Sequence, residues 1–502
     1  MESIPLEASG SEIAETMGDW LHNPGPLYSK LVSKIEEAID RGDLVPGTRL
    51  PPERSLALAL QISRTTVVTA YAELRDRGRV ERRQGSGTWI RHHEHGRPAP
   101  YANDEALDSI ARNPMMRSAT PDGSRSTVDF TVSLQASVGP LIREAMTEAA
   151  AKVEALALLS GYQPRGLETL RQSVADYVES TTGMRTSEEQ ILITTGAQQA
   201  IWLLGQLYAP HGENIILENP SYPGAIDAFR MLRARIQPLP ADPERLRVEV
   251  LHDLIETNHP RLVFVGPTCQ APTGTVMSEA DREALVDLVD AHQVTLVEDQ
   301  TMLPLLIDDG RPAPTALAAI SDSAPVITIG SFSKLFWPGL RVGWIRAPRT
   351  LTTHLSQFKA VNDMGSSLLS QLIAVQLLER ADRMRQIRCA EIASCLDHLE
   401  AAFAEFLPGW SWNRPAGGLS FWARLPYGSA ERFAQFALLH GVNVIPGSSL
   451  TVDGTCDDHV RLQFVQNRDT LVLGVRRLAR AWRTFEAQLP LDPRPTLLAA
   501  SE

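Results

Sequence analysis

The chain has 502 residues, more than one ordinary core accommodates, and this length predicts at least two domains. Hydrophobic residues make up 43% and charged residues 22%, values that exclude a wholly disordered chain. No run approaches the roughly 18 to 20 apolar residues that a membrane-spanning helix requires. The acidic, polar start MESIPLEASGSEIAE excludes a secretory signal, and four cysteines without a CxxC pair argue against a disulfide framework or a zinc site. A cytoplasmic protein is therefore expected.

The net charge of −12 is unevenly distributed along the chain. Between Arg41 and Arg91 ten arginines accompany five acidic residues, so this segment carries a net charge of +5. A local basic region of this kind can bind phosphates while the rest of the protein stays acidic. The distribution therefore keeps nucleic acid among the expected partners, although the total charge argues against it.

Residues 24–92 predict three helices followed by a hairpin. LYSKLVSKIEEAID repeats apolar residues at helical spacing and ends at Gly42, and VPGTRLPP is interpreted as a turn-rich connection. SLALALQI predicts a short second helix, and Ser63 is a good N-cap for a third helix that ends at Gly78. RVERRQGSGTWIR predicts two strands around a glycine tip. This order of elements is typical of a winged helix-turn-helix domain.

The third predicted helix is a candidate recognition helix. Its first turn presents side chains that can contact base edges or phosphates when the helix docks in the major groove. The hairpin wing can place guanidinium groups and backbone amides along phosphates or in the minor groove. The candidate DNA-binding residues of the helix and the wing are Ser63, Arg64, Thr65, Thr66, Arg82, Arg83 and Gly85. Val67, Ala70, Tyr71 and Leu74 recur at helical spacing and are predicted to be core.

The whole stretch PGTRLPPERSLALALQISRTTVVTAYAELRDRGRVERRQGSGTWI resembles the GntR family of bacterial regulators. The match is dense and ordered along the stretch, which makes it more specific than a single short motif. The resemblance implies DNA binding and adds Arg54, within PPERSLA, to the expected contacts. Arg75, Arg77 and Arg79 are more simply interpreted as a solvated face.

Residues 93–126 are rich in Pro, Asn, Asp and Ser, show no sustained periodicity, and predict a linker. His92, His93 and His95 form a short tract that is better explained by solvated chain than by metal binding, so no metal site is expected. Residues 1–23 and 490–502 are expected to be terminal tails.

Residues 127–489 predict a second, larger domain of the α/β class. Helical stretches such as LIREAMTEAAAKVEAL alternate with the short apolar runs NIILE, RLVFVG, VTLVED and VITIG. This alternation predicts a mostly parallel sheet. From about residue 374 to 489 the pattern changes to helices followed by mixed segments, which predicts a smaller α+β subdomain.

The segment after VITIG contains the strongest candidate for covalent chemistry. Lys334 follows a buried strand inside a small, hydroxyl-rich turn, where a lysine with a lowered pKa can form an imine with an aldehyde. Ser331 and Ser333 can donate hydrogen bonds, and Arg341 can bind a phosphate bidentately. The segment resembles the pyridoxal phosphate lysine motif of fold-type I aminotransferases, including the phosphate-binding arginine seven residues after the lysine.

Further candidates follow in the order that this fold implies. Gly196, Ala197 and Gln198 begin a predicted helix whose backbone amides suit a phosphate. Asp299 ends a predicted strand, where a carboxylate facing the pyridine nitrogen keeps the ring protonated. The resemblance implies three further roles: Tyr222 stacks on the pyridine ring, Arg461 binds the carboxylate of an amino compound, and Tyr162 reaches the phosphate of the partner subunit.

A GntR-type reader joined to this fold is similar to the MocR subfamily of regulators, and the resemblance covers about residues 24–490. It implies a fold-type I domain, binding of pyridoxal 5'-phosphate and a head-to-tail homodimer. Two positions depart from the aminotransferase pattern. Ala271 stands where an asparagine normally bonds the cofactor's ring oxygen, and Met302 stands where a tyrosine follows the aspartate. Gln270 or Thr301 could compensate.

We therefore expect a transcription regulator in which the cofactor is a sensor, with transamination weak or absent. Pyridoxal phosphate itself or an amino compound that reacts with it is the expected effector. Two alternatives stay open: an active aminotransferase that carries a DNA-binding domain, and a cofactor-free dimerisation scaffold. The sequence does not fix the operator, the effector, or whether the protein activates or represses.

Overall fold

The computed structural model describes residues 13, 27–41, 44, 48–77, 79–83, 87–90, 127–133, 138–156, 158, 160–210, 212–241, 246–307, 310 and 313–487. The chain divides into two compact units, Met1–Ala102 and Asn103–Glu502. The predicted linker 93–126 and the C-terminal tail 490–502 lie outside the described residues, as does the N-terminal tail 1–23 except for Ile13. The proposed domain boundaries therefore stay a prediction.

The first unit contains the helices and the hairpin that the sequence predicts, with one additional strand. Its elements are α1 (Leu27–Arg41), β1 (Arg49–Leu50), α2 (Glu53–Ala59), α3 (Arg64–Asp76), β2 (Val80–Arg83) and β3 (Gly87–Ile90). The strands form an antiparallel sheet in the order β1-β3-β2. Strand β1 corrects the interpretation of VPGTRLPP as a connection alone, since Arg49 and Leu50 pair with Trp89 and Thr88.

Apolar side chains at helical spacing form the core of the first unit. Leu31 and Ile35 of α1 pack with Val67 and Leu74 of α3, and all four are fully buried. The hydroxyl of Tyr71 donates a hydrogen bond of 2.9 Å to the carbonyl of Pro51, which ties α3 to the turn before α2. The buried contacts of α3 therefore determine which of its residues face solvent.

The second unit has two layers of helices around a large sheet, and a smaller sheet beside them. Its strands are β4 (Val128–Asp129), β5 (Ile191–Thr194), β6 (Asn214–Asn219), β7 (Arg235–Pro240), β8 (Leu262–Val265), β9 (Thr295–Asp299), β10 (Val326–Ser331), β11 (Gly343–Arg346), β12 (Ser411–Trp412), β13 (Ser420–Arg424), β14 (Val442–Asn443), β15 (Ile445–Pro446) and β16 (His459–Gln463). The large sheet has the order β5-β11-β10-β9-β8-β6-β7. Only β11 runs antiparallel to its neighbours, so the carboxyl ends of the other strands meet at one edge.

The helices of the second unit cover both faces of the large sheet, as its apolar strands require, except that the last three belong mainly to the small subdomain. They are α4 (Gly139–Ala150), α5 (Val153–Leu156), α6 (Glu168–Thr182), α7 (Ala197–Tyr208), α8 (Pro223–Met231), α9 (Val248–Asn258), α10 (Glu279–His292), α11 (Phe332–Leu335), α12 (Arg349–Asp363), α13 (Leu368–Leu378), α14 (Ala381–Phe406), α15 (Ala430–Leu439) and α16 (Arg468–Glu486). The stretch LIREAMTEAAAKVEAL, predicted as helical, is divided between α4 and α5 by a turn at residues 151–152. Within the described part of the chain, no helix combines the length and apolarity needed to span a membrane.

The smaller sheet belongs to a subdomain that contains both ends of the second unit. Strands β12, β13, β16 and β15 form this sheet, and β14 pairs in parallel with β4. Val128 and Phe130 are buried in the same core as α14, α15 and α16. The subdomain predicted for residues 374–489 thus also includes the segment around β4, which the sequence pattern did not indicate.

Candidate functional site

Several predicted cofactor residues meet at the carboxyl edge of the large sheet. Strand β10 ends at Ser331, which pairs with Gly343 of β11, and Gly343 in turn pairs with Thr194 of β5. Lys334 lies in α11, directly after β10. The hydroxyl of Ser331 accepts a hydrogen bond of 3.2 Å from the Ser333 amide and donates one of 3.0 Å to the Ser333 hydroxyl. These bonds shape the turn that holds Lys334.

An anion cradle lies between the start of α7 and Arg341. Gly196 is the N-cap of α7 at φ +125°, and Ala197 is the first helical residue. A Cβ atom added to Gly196 would lie 3.2 Å from Nη2 of Arg341, so the guanidinium lies against the helix N-terminus. Helix N-termini and guanidinium groups both stabilise anions. The arrangement therefore suits a phosphate.

Close backbone packing completes this cradle. A Cβ atom added to Gly343 would lie 2.7 Å from the Cα atom of Gly196 and 2.8 Å from the carbonyl oxygen of Gly330. Because both neighbours are backbone, neither can move aside cheaply. Glycine at position 343 is what allows β11 to approach the N-terminus of α7.

Tyr222 and Gln198 lie together on the neighbouring wall. Nε2 of Gln198 donates a hydrogen bond of 2.7 Å to the carbonyl of Gly224, and a Cβ atom added to Gly224 would lie 2.5 Å from the Tyr222 ring. Burial raises the pKa of the Tyr222 hydroxyl to about 12, and the nearby Asp299 carboxylate adds to this effect. Tyr222 therefore stays protonated at neutral pH.

Lys334 lies in an electropositive, desolvated environment. Burial, and after it the Arg461 guanidinium, lower its pKa to about 8, although Asp299 acts in the opposite direction. Asp299 ends β9, where its Oδ1 accepts a hydrogen bond of 2.8 Å from the Thr301 amide, and burial raises its pKa. A neutral, nucleophilic amine is thus accessible near neutral pH.

Arg461 is a buried cation with spare donors. Its side chain lies on β16, which pairs with β13 and β15, and burial lowers its pKa to about 10. Nε and Nη2 are buried and have no hydrogen-bond partner among the described residues. Unsatisfied buried donors are costly. A carboxylate that reached Arg461 would satisfy them.

The structure distinguishes the two residues that could compensate for Ala271 and Met302. Gln270 is fully engaged, since Nε2 donates to the carbonyl of Pro220 at 2.7 Å and Oε1 accepts from Thr273 at 2.8 Å and 3.1 Å. Thr301 Oγ1 is buried, has no hydrogen bond of normal geometry among the described residues, and lies near enough to Asp299 to lower the pKa of that carboxyl. Met302 packs against the apolar core of the small subdomain. Thr301 is therefore the better placed of the two.

Two buried arginines near the site were missing from the sequence prediction. Arg388 on α14 is fully buried and ion-paired with Glu391, and its charge is a further cause of the lowered pKa of Lys334. Arg282 donates hydrogen bonds to the carbonyls of Pro267 and Met277, and so fixes the loop that carries Gln270. Nothing in a helical pattern rich in charge distinguishes a buried arginine from a solvated one.

Tyr162 stands apart from these residues in its exposure. It lies in the loop before α6, and its side chain is 63% exposed. Its predicted role in a partner subunit is therefore not tested in the single chain, and His92, His93 and His95 lie outside the described residues.

The predicted DNA-binding residues that the structure describes lie on α2, at the start of α3 and on β2 of the wing. Ser63 is the N-cap of α3 and accepts a hydrogen bond of 3.1 Å from the Thr66 amide. Arg54, Arg64, Thr65 and Arg82 are exposed, and Thr66 is half-buried. Arg83 is the last residue of β2, and its side chain is not among those that the structure describes. Gly85 lies outside the described residues.

Two arginines at the C-terminal end of α3 have acidic partners. Arg77 forms ion pairs with Glu36 and Glu73, and Arg79 approaches Glu36 at 3.9 Å. These two side chains fasten α3 to α1, which agrees with their interpretation as surface residues rather than DNA contacts.

Both halves of the chain match known families. Residues 27–90 match the bacterial regulatory proteins of the gntR family, and residues 136–478 match the aminotransferase class I and II family. The fold and the site thus define a GntR-type regulator joined to an aminotransferase-like domain. The chain belongs to the aminotransferase class I and II family, and among regulators it is of the MocR type.

Named relatives and a solved structure agree with this assignment. The chain is 30% identical over 441 residues to the uncharacterized HTH-type transcriptional regulator YdfD of Bacillus subtilis, covering 84% of this chain and 89% of the relative. It is 29% identical to the probable rhizopine catabolism regulatory protein MocR of Rhizobium meliloti, covering 72% and 74% of the two chains. The α-aminoadipate aminotransferase LysN of Thermus thermophilus, solved with N-(5'-phosphopyridoxyl)-L-leucine, is 29% identical with a TM-score of 0.67, covering 76% of this chain and 98% of that chain.

Proposed function

We propose that this regulator binds pyridoxal 5'-phosphate covalently through Nζ of Lys334 and senses either the cofactor itself or an amino compound that reacts with it. The observation that carries the proposal is the lowered pKa of Lys334 beside Arg461 and Asp299, next to an anion cradle. A structural lysine needs neither the cradle nor a buried cation without a partner.

The described residues fit the cofactor on three independent grounds. Gly343 and Gly196 pack so closely that any side chain would fill the cradle, and Arg341 lies against it. Nε and Nη2 of Arg461 are buried donors that have no hydrogen-bond partner in the part of the chain that the structure describes. When bound, pyridoxal phosphate supplies an amine-reactive aldehyde and an electron-withdrawing ring. Arg341 and the amides of Ala197 and Gln198 would then hold the phosphate, with the hydroxyls of Ser331 and Ser333 beside them.

The other side chains of the site orient the ring and the effector. Tyr222 would stack on the ring, and Asp299 would hold a proton at the pyridine nitrogen. Arg461 would bind the carboxylate of an amino compound. The side chain of Ala271 offers no donor, and Met302 packs against the apolar core, so neither side chain supplies the hydrogen bond that the aminotransferase pattern has at its position. This combination supports binding and exchange more than complete transamination.

The GntR-type unit would read an operator in double-stranded DNA, and the protein would act in the cytoplasm. Exposed Arg54, Arg64, Thr65 and Arg82 support this role, because they offer side chains to solvent on α2, on the start of α3 and on β2 of the wing. Ser63 and Thr66 would order the start of the recognition helix, and Arg83 and Gly85 would complete the wing contact.

A homodimer with Tyr162 at the partner's phosphate is part of the proposal. A Cβ atom added to Gly365 would lie 2.9 Å from the carbonyl oxygen of Gln163, so the Tyr162 loop lies against the segment between α12 and α13. That segment is flanked by exposed apolar side chains: Phe358, Val361, Met364 and Leu369. An apolar surface of this kind supports an interface between subunits.

An absorbance titration tests cofactor binding. Adding pyridoxal phosphate to the purified full-length chain should produce the visible band of a lysine-bound cofactor at a stoichiometry of one per chain. Lys334→Ala should abolish the band, and the exposed Lys152→Ala should leave it unchanged. A band that survives Lys334→Ala would show that another lysine carries the cofactor, and the proposal would fail.

Sensing is tested by thermodynamic linkage. An operator selected in vitro from random duplexes by the full chain should bind with an affinity that pyridoxal phosphate changes by roughly 5- to 150-fold. The same operator should change the affinity for the cofactor by the same factor, and Lys334→Ala should remove both effects. Equal DNA affinity with and without the cofactor would leave a binding site that is not a sensor of the cofactor.

The second candidate function is an active aminotransferase. It is favoured by the 33% identity over 350 residues to the 2-aminoadipate transaminase of Thermus thermophilus, which covers 68% of this chain. A turnover assay with several amino donors and 2-oxoglutarate separates the two functions. Sustained product formation by the wild type, lost in Lys334→Ala, would favour the enzyme.

A further inference from the structure

The surface of the large sheet's helical layer contains three side chains that the proposed cofactor site does not use. His252 and Glu256 lie one turn apart on α9, and His292 is the last residue of α10. One ligand atom from each lies within 4.8 Å of the other two. Their side chains are 51%, 55% and 25% exposed, so ions in solution can reach them.

We propose that His252, Glu256 and His292 together bind one divalent transition-metal ion, with Zn²⁺ as the best fit. Positions i and i+4 of a helix share one face, which directs His252 and Glu256 towards the same point. Nδ1 of His292 lies 3.2 Å from Oε1 of Glu256. Two ligand atoms of a tetrahedral zinc ion lie about 3.4 Å apart, given bond lengths of roughly 2.0 to 2.2 Å.

The two imidazole rings also suit a shared ion. Their centroids are 5.6 Å apart and the rings are inclined by 74°, so they are splayed rather than stacked. Imidazoles that bind one tetrahedral ion have centroids about 5 Å apart, because each centroid lies roughly 3 Å from the metal. Small side-chain rotations would therefore complete the geometry. The 3.2 Å contact also suits a hydrogen bond from Nδ1–H of His292 to Glu256, and the experiment below separates the two.

The type of ligand selects the class of ion. Two imidazole nitrogens and one carboxylate suit Zn²⁺, Ni²⁺ or Cu²⁺, whereas Mg²⁺ and Ca²⁺ prefer oxygen ligands alone. Oδ1 of Asp253 lies 3.8 Å from Nδ1 of His252 and adds negative charge that favours a cation. Three protein ligands leave one position for water.

The ion would fasten α9 to α10. Both helices pack on the same apolar core beneath the large sheet. Strand β9, which ends at Asp299, begins three residues after His292. An ion bound here acts only on the folded state, and it therefore stabilises this layer by mass action.

The experiment uses the full-length chain with His92, His93 and His95 changed to Ala, so that the histidine tract at the start of the predicted linker cannot bind the added metal. Zn²⁺ is titrated by calorimetry, and Co²⁺ is titrated by visible absorbance, which reports tetrahedral coordination. One ion per chain should bind, and thermal unfolding of the protein should shift to higher temperature with Zn²⁺. His252→Ala or His292→Ala should abolish both effects, and Glu256→Gln should weaken binding by about tenfold or more.

His354→Ala, which removes an exposed histidine of α12, is the matched control and should bind like the parent. Circular dichroism of each variant checks that the helices are retained, and His292→Gln serves if His292→Ala is not folded. Binding that survives His252→Ala and His292→Ala would overturn the site. The site would also be overturned if the parent chain, which lacks His92, His93 and His95, bound no metal.

Discussion

The electrostatic coupling of Lys334 and Arg461 leads to a prediction about pH. Only the neutral amine of Lys334 attacks an aldehyde, so the rate of cofactor attachment should rise with pH and level off above a pKa of about 8. Arg461 is the largest charged contribution that lowers this pKa. Arg461→Gln should therefore raise the pKa of Lys334 and move the midpoint of the rate profile to higher pH.

The measurement is the rate at which the cofactor's visible band appears between pH 6.5 and 9.5, without an amino compound present. Each unit by which the pKa rises lowers the neutral fraction at pH 7 about tenfold. Arg424→Gln, which removes an exposed arginine from β13 of the same small sheet, should leave the profile unchanged. A midpoint that stays in place or falls in Arg461→Gln would contradict the proposed coupling.

Gly343 supports a prediction about packing. The Cβ atom of Gly343→Ala would lie 2.7 Å from backbone of Gly196, and this overlap should cost about 1–3 kcal/mol in the free energy of unfolding. The cradle should also open, so cofactor affinity should fall. Gly139→Ala is the matched control, because nothing lies within 4 Å of its added Cβ atom. Urea unfolding followed by tryptophan fluorescence measures the free energy of unfolding of both variants. Equal values for Gly343→Ala and Gly139→Ala would show that the cradle is adaptable.

The sequence identifies individual site residues unequally. Lys334, Arg341 and Asp299 could be predicted because each occupies a fixed place relative to a strand end. Arg388 could not, since its position within the 26-residue helix α14 carries no sign of burial. Likewise the departure at Ala271 was visible, but the hydrogen bond from the neighbouring Gln270 to the carbonyl of Pro220, in another loop, was not.

At the scale of elements, local patterns predicted the fold well and long-range pairing poorly. Helices α1, α2 and α3 follow from apolar spacing and the Ser63 cap, which are properties of adjacent residues. Strand β1 has two residues, too few for a periodic pattern, and forms only because β3 lies beside it. Strand β4 pairs with β14 more than 300 residues away, and no local pattern indicates such a partner.

The helix-turn-helix unit separates the arginine proposed to bind DNA, on α2, from the arginine that stabilises the recognition helix α3. Arg54→Ala should weaken binding to all duplexes and reduce the slope of log affinity against log salt by about 0.9, since one phosphate contact is lost. The free energy of unfolding should be the same for Arg54→Ala and the wild type, because the side chain of Arg54 is exposed. Fluorescence anisotropy across a salt series is the measurement.

Arg77→Ala, at the C-cap of α3, provides the matched arginine control within the same unit. It removes the ion pairs to Glu36 and Glu73, so it should lower stability slightly and leave the salt slope unchanged. If Arg77→Ala reduced the salt slope and Arg54→Ala did not, the assignment of the DNA-binding face would be reversed.

At the scale of the whole molecule, an acidic protein contains a basic reader. The segment from Arg41 to Arg91 carries a net charge of +5 within a chain of −12. Repulsion between DNA and the acidic remainder weakens non-specific binding, which leaves more of the total affinity to the recognition helix. Two readers held in one dimer would recover affinity by acting on two half-sites.

The apolar surface beside the Tyr162 loop provides the test of that dimer. Val361 on α12 is 91% exposed and lies next to Phe358 and Met364, so burying it in an interface is favourable. Val361→Asp should place a charge there and convert dimers to monomers at micromolar concentration. Cofactor affinity should fall with it, because each monomer loses the Tyr162 of its partner.

Analytical ultracentrifugation and the absorbance titration measure the two effects on the same samples. Leu439→Asp is the matched control, since Leu439 is 83% exposed at the end of α15 and should tolerate the charge. Tyr162→Phe should stay dimeric and still bind the cofactor more weakly, which separates the missing hydroxyl from the missing subunit. If Val361→Asp stayed dimeric, this surface would not form the interface. If it became monomeric with unchanged cofactor affinity, Tyr162 would have no role across that interface.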